Sequence, residues 1–143
     1  MKRKSVCIVV LATIIILVLV FLIYDFSSNN YQSSNIYQKI DVFTAKGFDK
    51  ETNTPILSIT DKIKLKEIST IIKTSNKING ILDVTTPNYI LEMHSFTNDI
   101  ETIYLWLDKD SIKGMIMYKN KTETGYSISE DNTLSLKQVI LKK

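Results

Sequence analysis

The feature that most constrains this chain is a run of eighteen residues from Val6 to Ile23, in which Thr13 is the one plainly polar member. At a rise of about 1.5 Å per residue, a helix of this length nearly spans the ~30 Å hydrocarbon core of a bilayer. A buried helix of a globular domain is rarely apolar on every side for so long. The run predicts a membrane anchor over residues 1–24, with residues 5–24 in contact with the membrane.

The charges around this run predict its orientation. Lys2, Arg3 and Lys4 precede it, and the next lysine along the chain is Lys39. Because positive residues flanking a membrane helix stay in the cytoplasm, we expect a single-pass protein of the cell membrane with a cytoplasmic N-terminus and an extracellular C-terminal domain.

A cleaved signal peptide is the alternative to this anchor. Its apolar region usually covers about 7–15 residues, and its cleavage site has small residues at positions −3 and −1. Residues 24–28 fit that pattern poorly. A lipid-modified cysteine would follow the apolar run, whereas Cys7 lies inside it. A retained anchor is therefore the favoured interpretation.

Composition excludes several classes of function for the remainder of the chain. All of the +3 net charge comes from the three basic residues before the anchor, and the other fifteen lysines match the fifteen Asp and Glu residues. A charge-balanced domain offers no basic face for nucleic acid. Since no cysteine follows Cys7, the domain has neither a disulfide nor a thiolate nucleophile. We expect no cofactor.

Residues 25–35 form a polar linker, and residues 36–143 form the extracytoplasmic domain. A helix capped by Thr60 or Asp61 is predicted to end near Ser75, because four residues follow one stripe: Leu65, Ile68, Ile71 and Ile72. A second helix starts at about Glu130, with three residues facing inward: Leu136, Val139 and Ile140. The predicted strands are 36–44, 56–59, 89–96, 102–108, 112–118 and 126–129.

These elements predict an α+β domain, in which a small antiparallel sheet packs with two helices in the order β-β-α-β-β-β-(β)-α. The register of the central hairpin depends on its loop. A three-residue loop, 98–100, gives one clean apolar face, whereas a two-residue loop mixes both faces, so we predict the former. The apolar face then carries Leu91, Met93, Ser95, Ile103, Leu105 and Leu107. The other carries Glu92, His94, Phe96, Thr102, Tyr104 and Trp106.

An ordered set of short segments between Ile59 and Leu141 is also informative. It consists of Ile59-Thr60-Asp61, Gly80-Ile81-Leu82-Asp83-Val84, Pro87-Asn88-Tyr89, Tyr104-Leu105-Trp106-Leu107 and Gly114-Met115-Ile116-Met117. Together these resemble the YhfM-like domain found in small secreted, lipid-anchored or membrane-anchored proteins of Bacillus-type bacteria. The resemblance implies an extracytoplasmic location and a Gram-positive source. It carries over no catalytic residue.

Four residues on the second face of the hairpin form the candidate site for a partner: Tyr104, Trp106, Glu92 and His94. Aromatic side chains with polar tips are enriched where proteins recognise partners. Glu92 and His94 lie two residues apart and could form an acid–base pair. The alternative is that the second helix covers this face and makes it an ordinary core layer.

Other patterns carry no predicted chemistry. Asp108-Lys109-Asp110 lacks the further oxygen ligands and the glycine of a calcium loop, so it is interpreted as a solvated turn. Ser111 with Lys113 and Ser135 with Lys137 arise by chance in a chain rich in both residue types.

We therefore expect a non-catalytic binding module of the cell envelope, with an envelope protein, peptide or glycan as its partner. Two alternatives remain. The chain could be an accessory subunit whose membrane helix docks with a larger protein, although that helix lacks a Gly-x-x-x-Gly motif. It could instead be an enzyme acting on envelope substrates.

Overall fold

The structure, a computed structural model, describes residues 37–80 and 82–142, together with Val18. The predicted anchor and linker lie outside these residues, apart from Val18, and both stay predictions. Within the described residues, no helix is long and apolar enough to cross a membrane.

The domain consists of eight short strands and two helices among the described residues. The strands are β1 (Tyr37–Lys46), β2 (Asp49–Lys50), β3 (Leu57–Ile59), β4 (Asn76–Lys77), β5 (Tyr89–Ser95), β6 (Ile100–Trp106), β7 (Met115–Tyr118) and β8 (Gly125–Ser127). The helices are α1 (Lys62–Lys73) and α2 (Glu130–Ile140). The predicted α+β class, a small antiparallel sheet with two helices, is confirmed.

Each helix is preceded by an N-cap residue of a type that commonly starts helices, Asp61 for α1 and Ser129 for α2. The side chain of Asp61 accepts hydrogen bonds from the backbone N–H groups of Ile63 and Lys64, each at 3.0 Å. Ser129 caps α2 by accepting from the N–H of Asn132. These bonds satisfy backbone donors that have no partner inside the helix. Of the two predicted caps for α1, the structure therefore selects Asp61.

All pairs in the sheet are antiparallel, and the strand order is β2-β1-β5-β6-β7-β8-β4, with β3 also paired to β1. One face packs against both helices and forms the main core. The predicted stripe of α1 is buried there, and so are Leu136 and Ile140 of α2. The strand residues beneath the helices include Ile40, Val42, Leu91, Met93, Ile103, Leu105 and Ile116.

The opposite face carries a smaller apolar cluster made of Phe43, Ile90, Tyr104 and Met117. No helix packs on this face within the described part of the chain. Instead, the irregular segment 82–88 crosses it, with Leu82 and Val84 packed against the cluster. The proposal that the second helix covers this face is therefore wrong, because the apolar stripes of both helices face the other side.

The predicted register of the β5–β6 hairpin is also wrong, although the predicted division into two faces is confirmed. Leu91 lies opposite Ile103, not Leu107, because the turn is centred on Thr97, two residues earlier than the predicted centre at Asp99. The hydroxyl of Ser95 accepts from the N–H groups of Thr97 and Asp99, and Asn98 adopts a positive φ of 64°. The shift equals four residues, so every side chain keeps its face.

The structure adds two elements that the sequence pattern did not predict. The two-residue strands β2 and β4 are too short to show any alternation of apolar and polar residues. Strand β7 begins at Met115, later than the predicted 112, and β6 begins at Ile100, earlier than the predicted 102. Residues 82–88, which precede Tyr89, form neither a helix nor a strand.

Candidate binding face

The alternation of β1 places acidic and aromatic residues opposite the core. Ile40 and Val42 are buried beneath the helices, so Asp41 and Phe43 belong to the other face of the sheet. Glu92 and His94 of β5 and Tyr104 and Trp106 of β6 belong to this face too. We call it the binding face.

Asp41 is the most heavily engaged polar residue of the binding face. It is 5% exposed. Its Oδ1 accepts a hydrogen bond from Ser58 Oγ at 2.6 Å, and its Oδ2 lies 2.7 Å from Lys39 Nζ and 3.0 Å from His94 Nε2. Burial opposes ionisation of Asp41, but the hydrogen bonds from Lys39 and Ser58 and the nearby positive charge outweigh it and hold the pKa of this carboxyl below its ordinary value.

A second ion pair lies beside this cluster. Glu92 Oε1 is 2.5 Å from Lys50 Nζ, and that same ammonium lies 4.1 Å from the centroid of the Phe43 ring. An ammonium above an aromatic face is attracted by the ring quadrupole. The short strand β2 thus places Lys50 where it binds an acid and an aromatic ring at once.

The aromatic part of the binding face is built around Tyr104, which is 5% exposed. Phe48 packs edge-on against Tyr104, with ring centroids 5.2 Å apart, and lies 6.4 Å from Trp106. Gly47, with φ of +66°, forms the turn that brings Phe48 onto the face. Trp106 is half-buried, and its Nε1–H donates to the carbonyl oxygen of Thr85 at 2.9 Å.

An open cavity of about 280 Å³ lies between the aromatic and the charged parts. Nine residues line it: Phe48, Asp49, Lys50, Asn53, Ile90, Glu92, Thr102, Tyr104 and Lys119. Burial and the negative charge of Asp49 raise the pKa of Tyr104 above its ordinary value. Apolar rings beside a few convergent polar groups are typical of a ligand site.

The four predicted residues occupy different positions on this face. Tyr104 and Glu92 line the cavity, whereas Trp106 lies toward segment 82–88 and His94 lies beside Asp41. Sequence reasoning missed Phe48, Lys50 and Asp41. The alternation of Ile40 and Val42 was a signal for Asp41, but nothing local to Phe48 or Lys50 indicates that a turn folds them back onto the sheet.

The polar cluster of Ser58, Asp41 and His94 is poorly arranged for hydrolytic catalysis. Ser58, Asp41 and His94 are linked in that order, so the carboxylate lies between the hydroxyl and the imidazole. A serine nucleophile requires the base to contact its hydroxyl directly. Glu92 is paired with Lys50, and no hydrogen bond joins it to His94 among the described residues. The predicted acid–base pair is therefore not assembled.

Within the described ranges, no group of three or more His, Cys, Asp or Glu side chains is placed so that it could hold a metal ion. The ion pairs of Asp41 and Glu92 neutralise the carboxylates that a hard cation would need.

Taken together, these features define an α+β domain with a helix-covered core and a second face that carries an aromatic and charged cavity. The chain matches the YhfM protein family over residues 33–143 and belongs to that family. It matches no curated protein.

One solved structure is similar to this chain. It is the crystal structure of a thioesterase-like protein from Clostridium sporogenes ATCC 15579, with a TM-score of 0.56 and 25% sequence identity. The alignment covers 75% of this chain and 96% of the clostridial chain.

Proposed function

We propose that this protein is a non-catalytic binding module of the cell envelope, tethered by residues 5–24 to the membrane, with its domain outside the cell. One observation carries the binding role: the open cavity joins the Phe48 and Tyr104 rings to a rim of charged and amide side chains. The tether is proposed from the apolar run and the charges before it.

The chemistry of the cavity favours a ligand with hydroxyl and amide groups. Phe48 offers a partly exposed ring for stacking, while Asn53 and Thr102 can each donate and accept hydrogen bonds. Lys119 and Asp49 supply one charge of each sign. Glycan–peptide fragments of the cell wall combine these features, because they have sugar rings, amides and both charges.

Soluble muropeptides provide the probe for this proposal. Titration into the full-length protein in detergent, followed through the fluorescence of its single tryptophan and through binding heat, should give a saturable isotherm. Phe48→Ala should weaken binding by about tenfold or more, because aromatic contacts commonly dominate a small site.

Ile112→Ala is the matched control, since Ile112 is exposed and does not line the cavity. Its affinity should equal that of the unchanged protein. Absence of a saturable isotherm, or equal losses in the two variants, would overturn the assignment of this cavity.

Thioester hydrolysis is a second candidate, favoured by the name of the clostridial protein. Such a reaction needs a general base to activate water, and Glu92 is one of the two carboxylates, with Asp49, that line the cavity. Incubation with short-chain acyl-coenzyme A and detection of the released thiol tests it. Turnover abolished by Glu92→Gln would favour the enzyme, whereas a rate equal to that of buffer would exclude hydrolysis of these substrates.

A further inference from the structure

We propose that the β5–β6 tip, defined as residues 96–100, is a surface that contacts the lipid bilayer. This inference rests on the proposed membrane tether. The tip carries two large apolar side chains in the open: Phe96 is 68% exposed and Ile100 is 54% exposed. Single exposed apolar residues are ordinary, but two that lie four positions apart at one hairpin tip form a local apolar protrusion.

The position of the tip favours the membrane as its partner. Tyr37, at the start of β1, pairs with Ser95, and Gln38 Nε2 donates to the Ser95 carbonyl oxygen at 3.1 Å. The first residue of β1, Tyr37, therefore lies beside this tip. The opposite end of β6, at Trp106, lies about 20 Å from Ile100, at ~3.4 Å per residue.

The length of the tether sets how often the tip meets the bilayer. Residues 25–36 number twelve, and a polar linker of this length has a root-mean-square span of about 20 Å. Covalent tethering raises the effective concentration of the tip near the lipid, so a two-residue contact can be populated although it would be too weak for a free domain.

Polar groups at the same end suit a membrane interface. Lys119 and Asn120 line a shallow cavity together with Asp99 and Ile100, and Lys121 lies close by, beside Asn120. Lysine side chains can extend their charged ends into the headgroup layer while their carbon chains stay on apolar surface. Because acidic residues balance these lysines, the apolar pair must carry the contact.

A single-tryptophan experiment tests the contact in the full-length protein. In a Trp106→Phe background, Phe96→Trp places the fluorophore at the tip, and Ile112→Trp places it in the loop between β6 and β7, at the other end of β6. The control is matched, because Ile112 is 69% exposed. Both proteins are reconstituted into phosphatidylcholine vesicles with and without brominated acyl chains.

Flotation of the vesicles reports the tether, and quenching reports the tip. We expect both variants to float, with quenching at position 96 at least twofold stronger than at position 112. Adding Ile100→Ser to the Phe96→Trp protein should lower that quenching. Floating protein with equal quenching at both positions would overturn the tip contact alone, whereas failure to float would overturn the tether and the tip contact together.

Discussion

At the scale of single residues, the binding face contains carboxylates that are largely shielded from water and paired with cationic side chains. Asp41 has three side-chain partners, and a buried carboxylate is tolerated only when such partners compensate for lost hydration. The same partners make this residue costly to change. They also hold His94 in a structural contact, which accounts for the only histidine of the chain without assigning it a catalytic role.

Asp41→Asn should destabilise the domain by about 1–3 kcal/mol at pH 7, because the substitution removes a charged acceptor and leaves Lys39 without its partner. The pKa of Asp41 is depressed on folding, so its contribution is fully present above the unfolded value of about 4 and is lost as pH falls through the lower folded value. Denaturant melts from pH 7 to pH 3 should therefore show a steeper loss of stability below pH 4 in the unchanged protein than in the variant. Equal slopes would contradict this account.

Trp106→Ala should lower the free energy of unfolding by about 2–3 kcal/mol. This loss is smaller than for a fully buried tryptophan because the ring is half-buried, but it includes the hydrogen bond from Nε1–H to Thr85. Leu105→Ala, in the core, should cost about 2–5 kcal/mol. Trp106→Phe keeps most of the packing and removes the hydrogen bond, so it should cost about 1 kcal/mol. Urea melts of the three variants give these values. A change below about 0.5 kcal/mol for Trp106→Ala would mean that segment 82–88 does not pack as described.

At the scale of elements, the turns determine which side chains come into contact. The turn at Gly47 folds Phe48 and Lys50 onto the sheet, and segment 82–88 closes the space beside them. In the central hairpin, the Ser95 hydroxyl organises the loop by accepting two backbone N–H groups, and this loop sets the register of β5 against β6.

Ser95→Ala tests the role of that hydroxyl. Since Ser95 is buried, two loop N–H groups would lose their acceptor, and we expect a loss of about 1–3 kcal/mol in the free energy of unfolding. Thr97→Ala is the control, because it keeps both of these backbone bonds and should cost less. Equal costs would show that the Ser95 hydroxyl does not organise the turn.

At the scale of the whole molecule, the two faces of one sheet differ in what covers them and in composition. The helix-covered face supplies the large apolar core, while the other face has a small core with charged residues around it. This division lets the binding face hold ion pairs without weakening the main core. A tether would place that face in the cell envelope.

The proposed topology predicts that the mature protein begins at Met1 and that external protease digests its domain in intact protoplasts. The physical reason is the retention of Lys2, Arg3 and Lys4 in the cytoplasm and the lack, near residues 24–28, of a site with small residues at both −3 and −1. N-terminal sequencing and protease accessibility measure both. A mature N-terminus between residues 25 and 34, or a protected domain, would contradict the topology.

The sequence by itself determined the α+β class, both helices and the division of the hairpin into two faces. These features follow from local rules: the 3.6-residue period of α1, its cap residue Asp61, and the two-residue alternation of β5 and β6. The face assignment survived the wrong register because a shift of four residues preserves alternation.

Tertiary structure alone decided the register, the cover of the binding face and the composition of the cavity. The register depends on hydrogen bonds that the buried Ser95 hydroxyl accepts from two N–H groups of its own loop, whereas Phe48 meets Tyr104 across more than fifty positions of sequence. Alternation does not distinguish registers that differ by an even number of residues. Local patterns also do not encode the contact of Phe48 with Tyr104, because it forms only when distant strands pair and bury their side chains together. For the same reason, segment 82–88 gave no sign in the sequence that it would cover Tyr104 and Trp106.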